Sequence, residues 1–138
     1  MLVALPVAVP QAENAPTPVF PTAAARRVIP PGACVLTDQS SLLIAADRFT
    51  SDVPGCSLML DATGTDYVLG GGRRGAAAGR VPALAAVWRQ AFGAAQYVWL
   101  TPYNTRRIAW TPALESYFRS HFVLVHGSWA PLSLYVRK

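Results

Sequence analysis

From residue 33 onward the chain switches repeatedly between short apolar runs and stretches where apolar residues return every three or four positions. The runs Ala33 to Thr37, Cys56 to Leu60 (CSLML) and Gln96 to Leu100 (QYVWL) are short and bounded by turn residues, so they predict buried strands. Tyr67 to Leu69 predicts another short extended piece, ahead of three glycines. Helical signals lie between the runs. Leu42, Leu43, Ala45 and Ala46 follow Asp38, which is placed to cap that helix. Leu84, Val87, Trp88 and Ala91 stand at i, i+3, i+4 and i+7, with Pro82 suited to the first turn and Gly93 expected to end the helix. Thr111-Pro112 opens a third helix that runs through Ser120, with Glu115 four residues before Arg119. Two β-rich runs around Gly127-Ser128 predict a C-terminal hairpin. The order β-α-β-(β)-α-β-α-β-β predicts an α/β fold: a small, mostly parallel sheet flanked by helices, with a C-terminal antiparallel hairpin.

The first 27 residues follow neither rhythm. Met1 to Val9 (MLVALPVAV) is an apolar run far shorter than the roughly 20 residues a spanning helix needs, and it has no positively charged leader. A proline-rich tether, PQAENAPTPVFP, comes after it. Residues 1–27 are therefore expected to be an apolar stub and tether, and residues 28–138 a single α/β domain. The stub has two readings: the end of a membrane helix, or an N-terminal segment that packs on the domain or frays.

Composition adds one constraint. Only 14% of the 138 residues are charged and 52% are hydrophobic, so much of the chain is buried or docks against something apolar. The net charge of +5 rests on eleven arginines and one lysine. A bias towards GC-rich codons explains that ratio, and the abundance of Ala and Gly, without any function; a basic surface would also suit anionic lipid headgroups or phosphate-bearing ligands. The arginines come as scattered pairs (Arg26-Arg27, Arg73-Arg74, Arg106-Arg107) and not as a stripe on one element, which argues against nucleic acid.

Gly70-Gly71-Gly72-Arg73-Arg74-Gly75 spells G-x-G-x-x-G, the dinucleotide-binding pattern. That chemistry also needs an acidic residue about 20 positions on to hold a ribose. No acid occurs between Asp66 and Glu115, and the next helix starts only at Pro82. The stretch reads instead as an exposed glycine-arginine-alanine loop. No other catalytic set emerges. His121 and His126, five apart, cannot share one face of a regular strand. Two cysteines and two histidines without ligand spacing do not make a metal site, and the seven acids sit mostly at caps and turns. No cofactor is expected.

Cys34 and Cys56 open the first two predicted strands. If these are parallel neighbours, the cysteines share a sheet edge and can form a disulfide, which would place the domain outside the cytoplasm; the alternative is a pair of free thiols in a cytosolic protein. The aromatics Trp99, Tyr103, Trp110, Tyr117, Phe118 and Trp129 crowd the second half, with Arg106 and Arg107 among them. They read either as a well-filled core or, over TPYNTRRIAW, as an exposed aromatic and arginine loop at the carboxyl ends of the strands, where open α/β sheets bind ligands. Asp38, Tyr103, Arg106, Arg107 and Trp110 are thus the candidate ligand or membrane-interface residues.

The segments VIPPGACVLTD, LLIAADRFTSDVPGC, YVWLTPYNTRRIAWTPALESYFRSHFVLV and LSLYVRK resemble the C-terminal soluble domain of bacterial multi-pass glycosyltransferases. These are of the GT-C type, similar to protein mannosyltransferases and aminoarabinose transferases in actinobacterial forms. The resemblance covers residues 28–138 and consists of strand and helix patterns, not of catalytic residues. It implies a membrane enzyme that moves a sugar from a polyprenyl-phosphate donor to a lipid, glycan or protein acceptor, with this domain on the extracytoplasmic side. The implied partners are the membrane helices of the same polypeptide, with lipid headgroups or the polyprenyl-phosphate sugar nearby. The family's catalytic acid lies in the membrane part, so no catalytic residue carries over. The match is limited to Cys34 to Asp38 (CVLTD), Cys56 and Leu134 to Arg137 (LYVR). A free-standing envelope module that binds glycan or anionic headgroups is the rival reading, and a cytosolic nucleotide-binding domain a third.

Overall fold

A computed structural model describes residues 21–56, 61–126 and 132–138. Its centre is a four-stranded mixed sheet, β1 (Val35–Thr37), β2 (Tyr97–Leu100), β3 (Phe122–His126) and β4 (Ser133–Arg137), in the order β1-β2-β4-β3. The α/β architecture and the C-terminal hairpin are as the sequence predicts. The direction of the sheet is a correction. Only β1 and β2 run parallel, whereas β2·β4 and β3·β4 are antiparallel. The last strand inserts beside β2, so the hairpin supplies half the sheet and is not an appendage to a parallel one. The predicted strand at 56–60 falls, beyond Cys56, outside the described residues, as do the hairpin tip and Trp129.

Strand β2 is apolar at consecutive positions because both faces of the sheet are covered. Val98 and Leu100 face one core, with Leu36, Phe122 and the side chains Leu84, Trp88 and Phe92 of helix α4 (Pro82–Ala94). Trp99 faces the other, with Val35, Leu134, and the side chains of α1 (Thr22–Val28) and α2 (Ser41–Ala45). Alternation of period two along β2 therefore assigns each residue to its layer. Helix α1 brings Ala25 into this second core, so chain upstream of residue 28 also packs on the domain.

Helix α4 keeps the 3.6-residue spacing of its apolar face, and Pro82 occupies its first turn. Gly93 does not end it; the helix continues to Ala94. Its end is held by Arg137 of β4, whose guanidinium donates to the carbonyls of Phe92, Gly93 and Ala95 at 2.6, 3.1 and 2.8 Å. Helix α6 (Pro112–His121) is capped by Thr111, whose hydroxyl accepts from the Leu114 amide.

The largest departure from expectation is at Tyr67 to Leu69. These residues lie in a helix, α3 (Ala62–Gly70), not in a strand. Asp61 caps its start by accepting from Gly64, and Gly71 ends it in the left-handed conformation. The face it buries is Ala62, Asp66 and Gly70, which gives no apolar period for sequence reasoning to find. The glycine stretch is exposed at 71–74, as predicted, but its second half is not a loop. A turn at 71–72 leads through Arg73 and Arg74 into a 3-10 helix (Gly75–Arg80) that packs against α5 (Asn104–Arg107), with Ala78 fully buried.

Candidate functional site

The parallel pair β1·β2 defines the place to look, because the carboxyl ends of neighbouring parallel strands open together. Register pairs Thr37 with Trp99, so Asp38 and Thr101 leave the sheet side by side. Asp38 is buried and does not cap α2, which has Ser40 at its N-cap. Its carboxylate instead accepts from the Thr101 amide at 2.7 Å and from the Thr101 hydroxyl. Burial pushes the Asp38 pKa above the ordinary carboxylate range, against the Thr101 donors and the Arg107 charge, which pull it down.

The network continues away from Asp38. The Thr101 hydroxyl accepts from the Tyr103 amide at 3.1 Å, and the Thr101 carbonyl accepts from the Asn104 side chain at 2.7 Å. Asn104 in turn accepts from the Trp110 indole N–H at 3.3 Å. Arg107 closes the loop onto β1: it lies 3.7 Å from the Asp38 carboxylate, donates to the Gln39 side chain at 3.1 Å, and stands 5.2 Å from the Tyr103 ring centroid. Asp38, Tyr103, Arg107 and Trp110 are therefore joined in one network. Arg106 is exposed on α5, on the side next to Gly75. Thr101 and Asn104, which hold the network together, carry no sequence signal beyond their place just after a strand.

Two cavities flank this loop. One of about 270 Å³ is lined by polar groups including Asp38, Gln39, Ser41, Asp61, Thr63 and Arg107. The other, of about 410 Å³, has the partly buried rings of Trp110, Phe118 and Tyr135 as its walls and Asn104, Glu115 and Arg119 as polar groups. Trp110 and Phe118 stand 5.7 Å apart, and Phe118 and Tyr135 4.8 Å, both edge to face. Such walls suit the apolar face of a sugar ring, with Asn104 and the Glu115–Arg119 ion pair available to hydroxyls. The arrangement can bind and orient. Asp38 has its oxygens engaged by Thr101 and reads as a positioning group.

The cysteines are bonded to each other. Cys34 precedes β1 and Cys56 comes after the turn at 53–55, with Cα atoms 5.7 Å apart. The bond staples the 34–56 segment, including α2, to the start of the central sheet. In Gly70 to Gly75, Gly70 is the last residue of a helix, so no strand feeds the glycines as a dinucleotide site requires. Among the described residues no cluster of His, Cys, Asp and Glu could hold a metal ion, and no helix is long and apolar enough to cross a membrane. Comparison with known protein families, curated proteins and solved structures gave no match for this chain.

Proposed function

We propose that this chain is the extracytoplasmic α/β domain of a membrane glycosyltransferase that uses a polyprenyl-phosphate sugar, and that it serves as a non-catalytic accessory to the membrane part. The observation that carries the reading is the Cys34–Cys56 bond, of a kind that persists outside the reducing cytoplasm. The resemblance over residues 28–138 supports the same placement. In this reading the aromatic cleft at Trp110, Phe118 and Tyr135 helps hold the saccharide of donor or acceptor, and the Asp38–Thr101–Arg107 network fixes the loop that forms its wall. Protease added to intact spheroplasts tests the placement: an epitope within residues 28–138 should be lost while a cytoplasmic control survives. Survival of the epitope until lysis would end the reading.

A second reading has its own support. The cleft of about 410 Å³ is built wholly from this domain, so it can serve a free-standing envelope module that binds glycan. The two readings differ in the size and solubility of the native polypeptide.

A further inference from the structure

Helix α3 turns small residues and one carboxyl inward and leaves its large apolar residues outside. Toward the domain it presents Ala62, Asp66 and Gly70; toward solvent it presents Tyr67, Val68 and Leu69, which are 72, 77 and 42% exposed. Three consecutive large apolar residues at the end of a helix, left open to solvent among the described residues, form a contiguous patch rather than scattered surface residues. The next residues give the patch a rim. Gly71 and Gly72 turn at positive φ, and Arg73 and Arg74 come after them, both exposed. The Arg73 guanidinium folds back to donate to the Gly70 carbonyl at 3.3 Å, which keeps its charge beside the patch.

A third arginine is brought there by packing. Gly75 has φ +57 and lies so close to α5 that an added Cβ would meet the Thr105 carbonyl at 2.5 Å and the Arg106 Cα at 3.5 Å. The absent side chain thus lets α5 set Arg106 next to the Arg73-Arg74 turn. Of the acids nearby, only Asp66 offsets part of this charge, through Arg74. Asp66 is buried beneath the helix against Trp88, and Asp61 is at the far end of α3, about 13 Å away along its axis.

An apolar tip with arginines around its base has the chemistry of an anionic lipid surface: the apolar residues enter the headgroup boundary and the guanidinium groups meet phosphates. We propose that the end of α3, with Arg73, Arg74 and Arg106, docks this domain on an anionic bilayer. This rests on the reading above only for supplying the bilayer. Vesicle binding tests the surface itself, whereas the protease experiment tests the compartment, so either can fail alone.

The test is co-sedimentation of the 138-residue chain with vesicles of phosphatidylcholine, with and without phosphatidylglycerol. Binding should need the anionic lipid and weaken with salt. Each arginine near such a surface contributes about a factor of five, so Arg73→Gln with Arg74→Gln should lower partitioning more than about tenfold. Tyr67→Ser with Val68→Ser should lower it on the order of tenfold at unchanged charge, with near-UV circular dichroism unaltered. Arg27→Gln with Arg89→Gln, an equal charge loss on α1 and α4, should have a much smaller effect. Equal losses for both arginine pairs would overturn the proposal, as would wild-type binding by the serine variant. A concentration-dependent dimer abolished by Tyr67→Ser would assign the patch to a second copy and overturn it too.

Discussion

Asp66 is a carboxyl group in the wrong place at neutral pH, and its removal should stabilise the protein. It is almost fully buried beneath α3, where Oδ1 accepts from the Trp88 indole at 3.3 Å. Burial pushes its pKa up to about 6 from 3.8, although Trp88, the Gly75 amide and the Arg74 charge pull the other way. Because the folded-state value is the higher one, the native protein binds more protons than the unfolded chain between about pH 4 and 6. Stability must therefore fall as pH rises through that window, and below it the penalty vanishes. A shift of about two units corresponds to roughly 3 kcal/mol at neutral pH. Asp66→Asn keeps the shape and an acceptor for Trp88 but cannot ionise. Urea denaturation of both proteins from about pH 3.5 to 7.5 is the assay. The two should have similar stability at the acid end, and the variant should be more stable by roughly 2–3 kcal/mol at pH 7. A constant difference across the range, or a variant less stable at pH 7 than at pH 4 relative to wild type, would refute the reasoning.

Three further outcomes are expected. Breaking the Cys34–Cys56 bond, which closes a separation of 22 residues, should cost about 3 kcal/mol in the chain-entropy account, read as a drop in melting temperature shared by Cys34→Ala/Cys56→Ala and by the reduced wild type. Gly75→Ala should cost about 3 kcal/mol, the left-handed backbone and the collision of its Cβ with the Thr105 carbonyl adding together, whereas Gly72→Ala, at φ +82 in open space, should cost only about 1 kcal/mol. Chemical denaturation of the pair reads both. Arg137→Ala should cost about 2 kcal/mol by freeing three carbonyls at the end of α4, and Arg137→Lys should recover only part of it because one ammonium cannot reach all three; the same titration decides this.

Burial leaves a readable pattern only where it covers large apolar side chains at the period of the backbone. Helix α4 and strand β2 do so, and both are legible in the sequence, as is the capped start of α6 at Thr111-Pro112. Helix α3 buries a small residue, a carboxyl and a glycine, and exposes its large apolar residues, so its composition mimics a short strand. Only its caps, Asp61 and Gly71, betray it. The sheet direction escapes sequence reasoning because element order places each strand by its neighbours in the chain, whereas β4 pairs with β2 across the fold. At the site, Tyr103, Arg107 and Trp110 stand out by residue type. Asp38 looks like a helix cap because a cap and a buried acceptor differ only in what the distant Thr101 does.

The central claim is that this domain belongs to a membrane glycosyltransferase and works on the outer side of the bilayer. The most direct test is an immunoblot of native cells separated into membrane and soluble fractions, with an antibody against residues 28–138. The account predicts a band several times larger than 14.8 kDa, confined to membranes. A soluble band at 14.8 kDa would contradict it and leave the free-standing binding module as the reading to pursue.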